Sequence, residues 1–113
     1  MFKRLCAFFL LVCLALPFSI PAIAGNPVWI DVRTDQEYSE GHVEQAVNIP
    51  YEEIGERIES VTKNKDQTIY VYCRSGRRSG IAKDTLNDLG YTDVVNLGGL
   101  DDALAKAGQD SGH

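Results

Sequence analysis

Thr68-Ile69-Tyr70-Val71-Tyr72-Cys73-Arg74-Ser75-Gly76-Arg77-Arg78-Ser79 is the stretch whose reading decides the fold. Its first five residues are all β-branched or aromatic, as in a strand buried on both faces of a parallel sheet, and a helical pattern takes over near Ser79. Cys73 therefore sits in a strand-to-helix turn. Backbone N–H groups and the positive end of a helix dipole converge on such a turn, and Arg74, Arg77 and Arg78 add formal charge, so a thiolate is favoured at neutral pH. A lone cysteine at a strand end is more often a small buried hydrophobe. Three guanidinium groups beside it, each needing a partner or water, instead place this thiol near the surface in a cationic pocket. The stretch reads as an activated nucleophile facing an anion cradle.

Toward the C-terminus, Ile81, Ala82, Thr85, Leu86 and Leu89 line one helical face, and Gly90 supplies the stop. Val94-Val95-Asn96-Leu97 is a fourth strand. Gly98-Gly99 opens a final helix over Leu100, Ala103, Leu104 and Ala107, and residues 108–113 read as a frayed, disordered tail. Toward the N-terminus, Lys63 to Asp66 form a polar loop, preceded by an amphipathic helix on Tyr51, Ile54, Ile58 and Val61. Ala46 to Ile49 is a short extended piece closed by Pro50. Asp35 offers an N-cap for a helical turn through Tyr38, and Val28 to Val32 is the first strand. Strands alternating with helices at this spacing specify an α/β fold, a parallel sheet with helices on both faces, where ligands gather at the carboxyl ends of strands.

Residues 1–24 stand apart. Lys3 and Arg4, the uncharged run Leu5 to Leu16 and Ala22-Ile23-Ala24 before Gly25 have the form of a bacterial secretory signal peptide. Pro17 and Pro21 leave the apolar run short for a membrane anchor, and Val12 before Cys13 is too bulky for a lipoprotein site. Cleavage leaves one domain, residues 25–113, destined for the periplasm, with no membrane contact. Cys6 and Cys13 leave with the signal, so Cys73 has no intramolecular disulfide partner in a compartment that encourages disulfides. Nine basic residues then face 16 acidic ones, a net charge of −7 that disfavours nucleic acid and anionic lipid as partners. The positive charge at 74, 77 and 78 is local and suits a small anion. His42 and His113 with one cysteine make no zinc set, and no metal or other cofactor is expected.

At this point the chain resembles the rhodanese family, and within it the exported single-domain thiosulfate sulfurtransferases of the phage-shock type. The resemblance is carried by Ile30-Asp31-Val32-Arg33, Tyr38, Gly41-His42-Val43, Ala46, Asn48-Ile49-Pro50, Cys73 to Ser79, Gly90-Tyr91 and Leu97-Gly98-Gly99. It implies a small rhodanese fold, and the mature chain is expected to be a monomer. Cys73 would take a sulfane sulfur from a small anionic donor, thiosulfate, hold it as a persulfide, and pass it to cyanide or another thiophilic acceptor. The amides of Arg74, Ser75, Gly76, Arg77 and Arg78 would cradle the persulfide, Arg74 and Arg77 would attract the sulfonate, and Arg78 would close the loop. Leu100 and Leu104 stand where many members carry an aromatic residue, which implies a less well covered sheet on that side.

Two other functions compete. Phosphatases and arsenate reductases of the same fold resemble a Cys-x5-Arg pattern with a longer loop, whereas Cys73 and Arg78 give Cys-x4-Arg, which suits a single sulfur atom. A persulfide carrier docking to a partner protein would load the same thiol. Of the remaining polar residues, His42 reads as a structural histidine bonded to backbone, and Asp31, Arg33 and Glu37 read as an ion pair tying the first strand to the short helix. Trp29 reads as core.

Overall fold

The computed structural model describes residues 26–111, so the signal reading of residues 1–24 lies outside the described residues. The chain runs β1 (Val28–Asp31), α1 (Asp35–Ser39), β2 (Val47–Asn48), α2 (Ile54–Arg57), a 3₁₀ turn (Ile58–Ser60), β3 (Ile69–Cys73), α3 (Arg77–Asp88), β4 (Val94–Gly99) and α4 (Leu100–Ser111). All strands pair in parallel in the order β2-β1-β3-β4. The chain winds one way from β1 to β2 and the other way from β3 to β4. The carboxyl ends of β1 and β3 thus flank a topological switch point, where α/β sheets bind ligands.

Side chains alternate across the sheet, as the period of two requires. Ile30, Ile69, Val71 and Cys73 face one side and pack with Ile54, Ile58, Ala82, Leu86 and Tyr91 under α2 and α3. Trp29, Tyr70 and Tyr72 face the other and pack with Val43, Ala46, Leu100, Ala103 and Ala107 under α4. The ring of Trp29 meets that of Tyr70 edge-on at 4.8 Å. Helices therefore cover both faces, as expected. The α4 side is covered despite its missing aromatic, because the small Ala103 is fully buried and lets the helix approach closely.

Several local readings are corrected. Thr34, not Asp35, caps α1: its side chain accepts from the Glu37 amide, and the Glu37 carboxylate accepts from the Thr34 amide, a reciprocal capping box. The apolar spacing from Tyr51 to Val61 holds as packing, with Ile54 and Ile58 buried, but the backbone is a single α-turn and then 3₁₀. Gly55 has poor helix propensity and permits contact with α3, since a Cβ there would lie 3.2 Å from Thr85. On α3, Ala82 and Leu86 are buried while Ile81 and Leu89 are exposed, so the apolar face is narrower than its sequence indicates. Finally, α4 continues through Gly108 to Ser111 rather than fraying at 108. A glycine near a helix end costs only about 1 kcal/mol, too little to stop a helix already packed on the sheet.

Candidate active site

Cys73 is the last residue of β3, and α3 starts four residues later. The helix begins two residues earlier than its pattern suggests, because Gly76 takes a left-handed conformation (φ 101°) that turns the chain directly into Arg77. No side chain caps α3. The unsatisfied amides of its first turn, which a cap would otherwise occupy, are left for the sulfur. Gly76 N–H donates to Sγ at 3.0 Å, and the Ser79 hydroxyl lies 3.4 Å from it.

Cys73 is only 1% exposed and belongs to one buried cluster with Val71 and Ala82, so the thiol lies covered at the end of β3 rather than open to solvent. Burial pushes the thiol up, but hydrogen bonds from the Ser79 hydroxyl and from the Ser79, Gly76 and Ser75 amides outweigh it and bring it from an ordinary 9.0 down to about 7. The leading favourable contributions are hydrogen bonds rather than guanidinium charges. Because the folded-state value lies below the unfolded one, the native state binds fewer protons between pH 7 and 9. This contribution to stability is complete above about pH 9 and is lost as pH falls through about 7. Urea midpoints of the protein, less those of a Cys73→Ser control, should rise across that window; a flat difference would show that these hydrogen bonds do not favour the thiolate.

The arginines divide by position. Arg78 grips Glu37 with both ends of its fork, Nη1 to Oε1 at 2.8 Å and Nη2 to Oε2 at 3.0 Å. Arg74 is largely exposed, 3.8 Å from the same carboxylate. Arg77 is exposed and makes no ion pair among the described residues. The Arg78 hydrogen bonds hold the Glu37 carboxyl at about 2, against an ordinary 4.5, despite its desolvation. Glu37 thus caps α1 and moors the sulfur loop with one carboxylate. Among the described residues no salt bridge joins Glu37 to Arg33, although its charge still favours the Arg33 guanidinium. Asp31 and Arg33 instead form their own buried pair, with Arg33 Nη2 at 2.6 Å from Asp31 Oδ2 and at 2.7 Å from the Gly41 carbonyl oxygen.

The loop is pressed against the end of β4. A Cβ on Gly99 would stand 2.4 Å from the Arg74 carbonyl oxygen, so only glycine fits there. Beside this contact a groove of about 420 Å³ is lined by Arg33, Arg74, Gly99, Leu100, Asp101 and Asp102. His42 stacks on Tyr38 with ring centroids 3.6 Å apart and its Nδ1 is 2.7 Å from the Tyr38 carbonyl oxygen, a structural role on α1. Among the described residues no cluster of His, Cys, Asp and Glu could hold a metal, and no helix is long and apolar enough to cross a membrane.

Sequence reasoning brought Cys73 and its loop together but passed over Glu37 as the anchor of Arg78, Ser79 as a neighbour of the sulfur and Asn96 as the partner of Ser79. Thr34-x-x-Glu37 matches the capping-box spacing and was open to detection, whereas the contact of Ser79 with Asn96 on β4 had no local signal.

The chain is similar to known proteins along most of its length. Residues 21–106 match the rhodanese-like domain. The chain is 49% identical over 92 residues to the thiosulfate sulfurtransferase PspE of Escherichia coli (strain K12), covering 81% of this chain and 88% of that protein. It is 37% identical over 79 residues to a sulfurtransferase of Allochromatium vinosum, covering 70% and 72%. A solved structure described as rhodanese with anions from E. coli superposes with a TM-score of 0.66 at 48% identity, covering 68% of this chain and 91% of that one.

Proposed function

The chain belongs to the rhodanese-like family and is a sulfurtransferase, and from that premise we propose that it moves the outer sulfur of thiosulfate through Cys73 to a thiophilic acceptor such as cyanide. The observation that carries this reading is a buried thiol, brought down to about 7, with loop amides and one hydroxyl aimed at its sulfur. The Cys73 thiolate attacks the sulfane sulfur. A new S–S bond forms, the old one breaks, and sulfite leaves with its electron pair. The same donors that favour the thiolate then stabilise the persulfide anion. Cyanide carbon attacks the outer sulfur, thiocyanate departs, and the thiolate is restored. The intact mass of protein treated with thiosulfate should show a gain of one sulfur that cyanide removes, and its absence would overturn the persulfide step.

Arg78 is committed to Glu37, which leaves Arg74 and Arg77 as the exposed cations at the loop mouth. A tetrahedral oxyanion chemistry would want the last arginine of the loop turned inward, so its engagement elsewhere weighs against the phosphatase or reductase reading. Arg74→Ala or Arg77→Ala should raise the Michaelis constant for thiosulfate and lower kcat/KM roughly tenfold, the scale of one charge-assisted contact. If neither substitution changes that ratio, sulfonate recognition by these side chains is excluded.

Residues 1–24 act, in this reading, as a signal peptide that delivers a domain beginning at Gly25 to the periplasm. N-terminal sequencing of protein from a periplasmic fraction should start at Gly25. Retention in the cytoplasm with Met1 intact would overturn the export.

A further inference from the structure

β4 slips by one residue against β3. Val71 stands opposite Asn96 and Tyr72 opposite Gly98, so Leu97 is the extra residue of a bulge. Bulges re-aim side chains, and here Asn96 reaches the first turn of α3. Its Oδ1 accepts from the Gly98 amide at 3.0 Å and from the Ser79 hydroxyl at 2.7 Å, and its Nδ2 donates to the Gly76 carbonyl at 3.0 Å. Gly98 N–H only donates and Gly76 C=O only accepts, so the orientation of the amide is fixed. Ser79 Oγ is at the same time 3.4 Å from Cys73 Sγ. A serine has one proton to give.

We propose that Asn96 is a positioning residue for sulfur transfer, competing with the Cys73 sulfur for the single proton of Ser79. In the thiol state the Ser79 proton points to Asn96 Oδ1, and Cys73 S–H faces the Ser79 lone pair. When the thiol ionises, its proton leaves to solvent and the electron pair stays on sulfur. Ser79 O–H then swings to Sγ, while Asn96 Oδ1 keeps the Gly98 amide. Asn96 thereby opposes formation of the thiolate and favours return of the Ser79 hydroxyl to its resting orientation. The proposal rests on the preceding reading only in taking Cys73 as the sulfur-bearing residue.

The test is titration of thiolate ultraviolet absorbance against pH, with Cys73→Ser variants as blanks. It needs no sulfur donor, so it can fail or succeed independently of thiosulfate turnover. Asn96→Ala should raise the thiolate-to-thiol ratio about two- to tenfold at fixed pH, the range of one ordinary hydrogen bond. Gly76 O keeps the Gly80 amide at 3.0 Å, so the loop retains its shape without Asn96. Ser79→Ala should lower the ratio, and adding Asn96→Ala to Ser79→Ala should change nothing further. The charged and titratable groups of the surrounding elements, Arg33, Glu37, Tyr51, Arg74, Arg77, Arg78, Asp101 and Asp102, are the same in every variant. Asn96→Val, suited to a strand, provides a second variant, and circular dichroism verifies folding. An unchanged or lower ratio in the folded Asn96 variants, or a rise that persists undiminished without the Ser79 hydroxyl, would overturn the competition.

Discussion

Cys73→Ser is expected to lower thiosulfate:cyanide turnover by at least roughly three orders of magnitude, because removal of a covalent nucleophile leaves only the residual effects of binding. A hydroxyl is close in size to a thiol, accepts from the Gly76 amide, and sits in the same buried pocket, so the far-ultraviolet circular dichroism spectrum should be unchanged. It forms no persulfide. A folded variant that retains turnover within tenfold of the parent would remove the nucleophile from the mechanism.

The largest effect on stability is expected at Asp31→Ala. Asp31 is fully buried at the carboxyl end of β1, and its carboxylate takes the Arg33 amide, Nε and Nη2. Removing it strands a guanidinium that is only 6% exposed. Breaking one side of a buried pair costs about 3–5 kcal/mol. At about 4–8 °C per kcal/mol for a domain of this size, the melting temperature should fall by at least about 12 °C. Replacing both partners, as in Asp31→Leu with Arg33→Met, should recover much of that loss, since no charge is then stranded. A fall of a few degrees in the single variant would mean that water reaches Arg33 more easily than its burial indicates.

How much of this was legible in the sequence depended on how local the cause was. The apolar run from Thr68 to Tyr72 and the polar loop after it were enough to place Cys73 at a strand end and to call for a parallel sheet. The depth of the thiol was also written there. Cys73 shares its parity with Ile69 and Val71, which face α2 and α3, and a period of two turns all three inward. The neighbouring arginines drew attention to the surface instead, although only Arg74 and Arg77 are exposed and the cysteine beside them is buried. Other features depend on pairs distant along the chain. Arg78 finds Glu37 41 residues away, and Ser79 finds Asn96 17 away, so neither partner carries a local pattern. The early start of α3 at Arg77 depended on Gly76 adopting φ 101°, a conformation that glycine permits without requiring.

The mooring of Arg78 by Glu37 also limits what can be transplanted. The hexapeptide from Cys73 to Arg78 looks like a portable cassette, yet its shape is held from two directions. Glu37 on α1 fixes one flank, and bare Gly99 at the bulged end of β4 leaves room for the Arg74 carbonyl. A graft of the six residues alone onto a foreign strand-loop-helix would import the thiol without the frame that orients the amides around it. The smallest heritable unit of this chemistry is the loop together with α1 and the bulged end of β4, and these elements must change in concert.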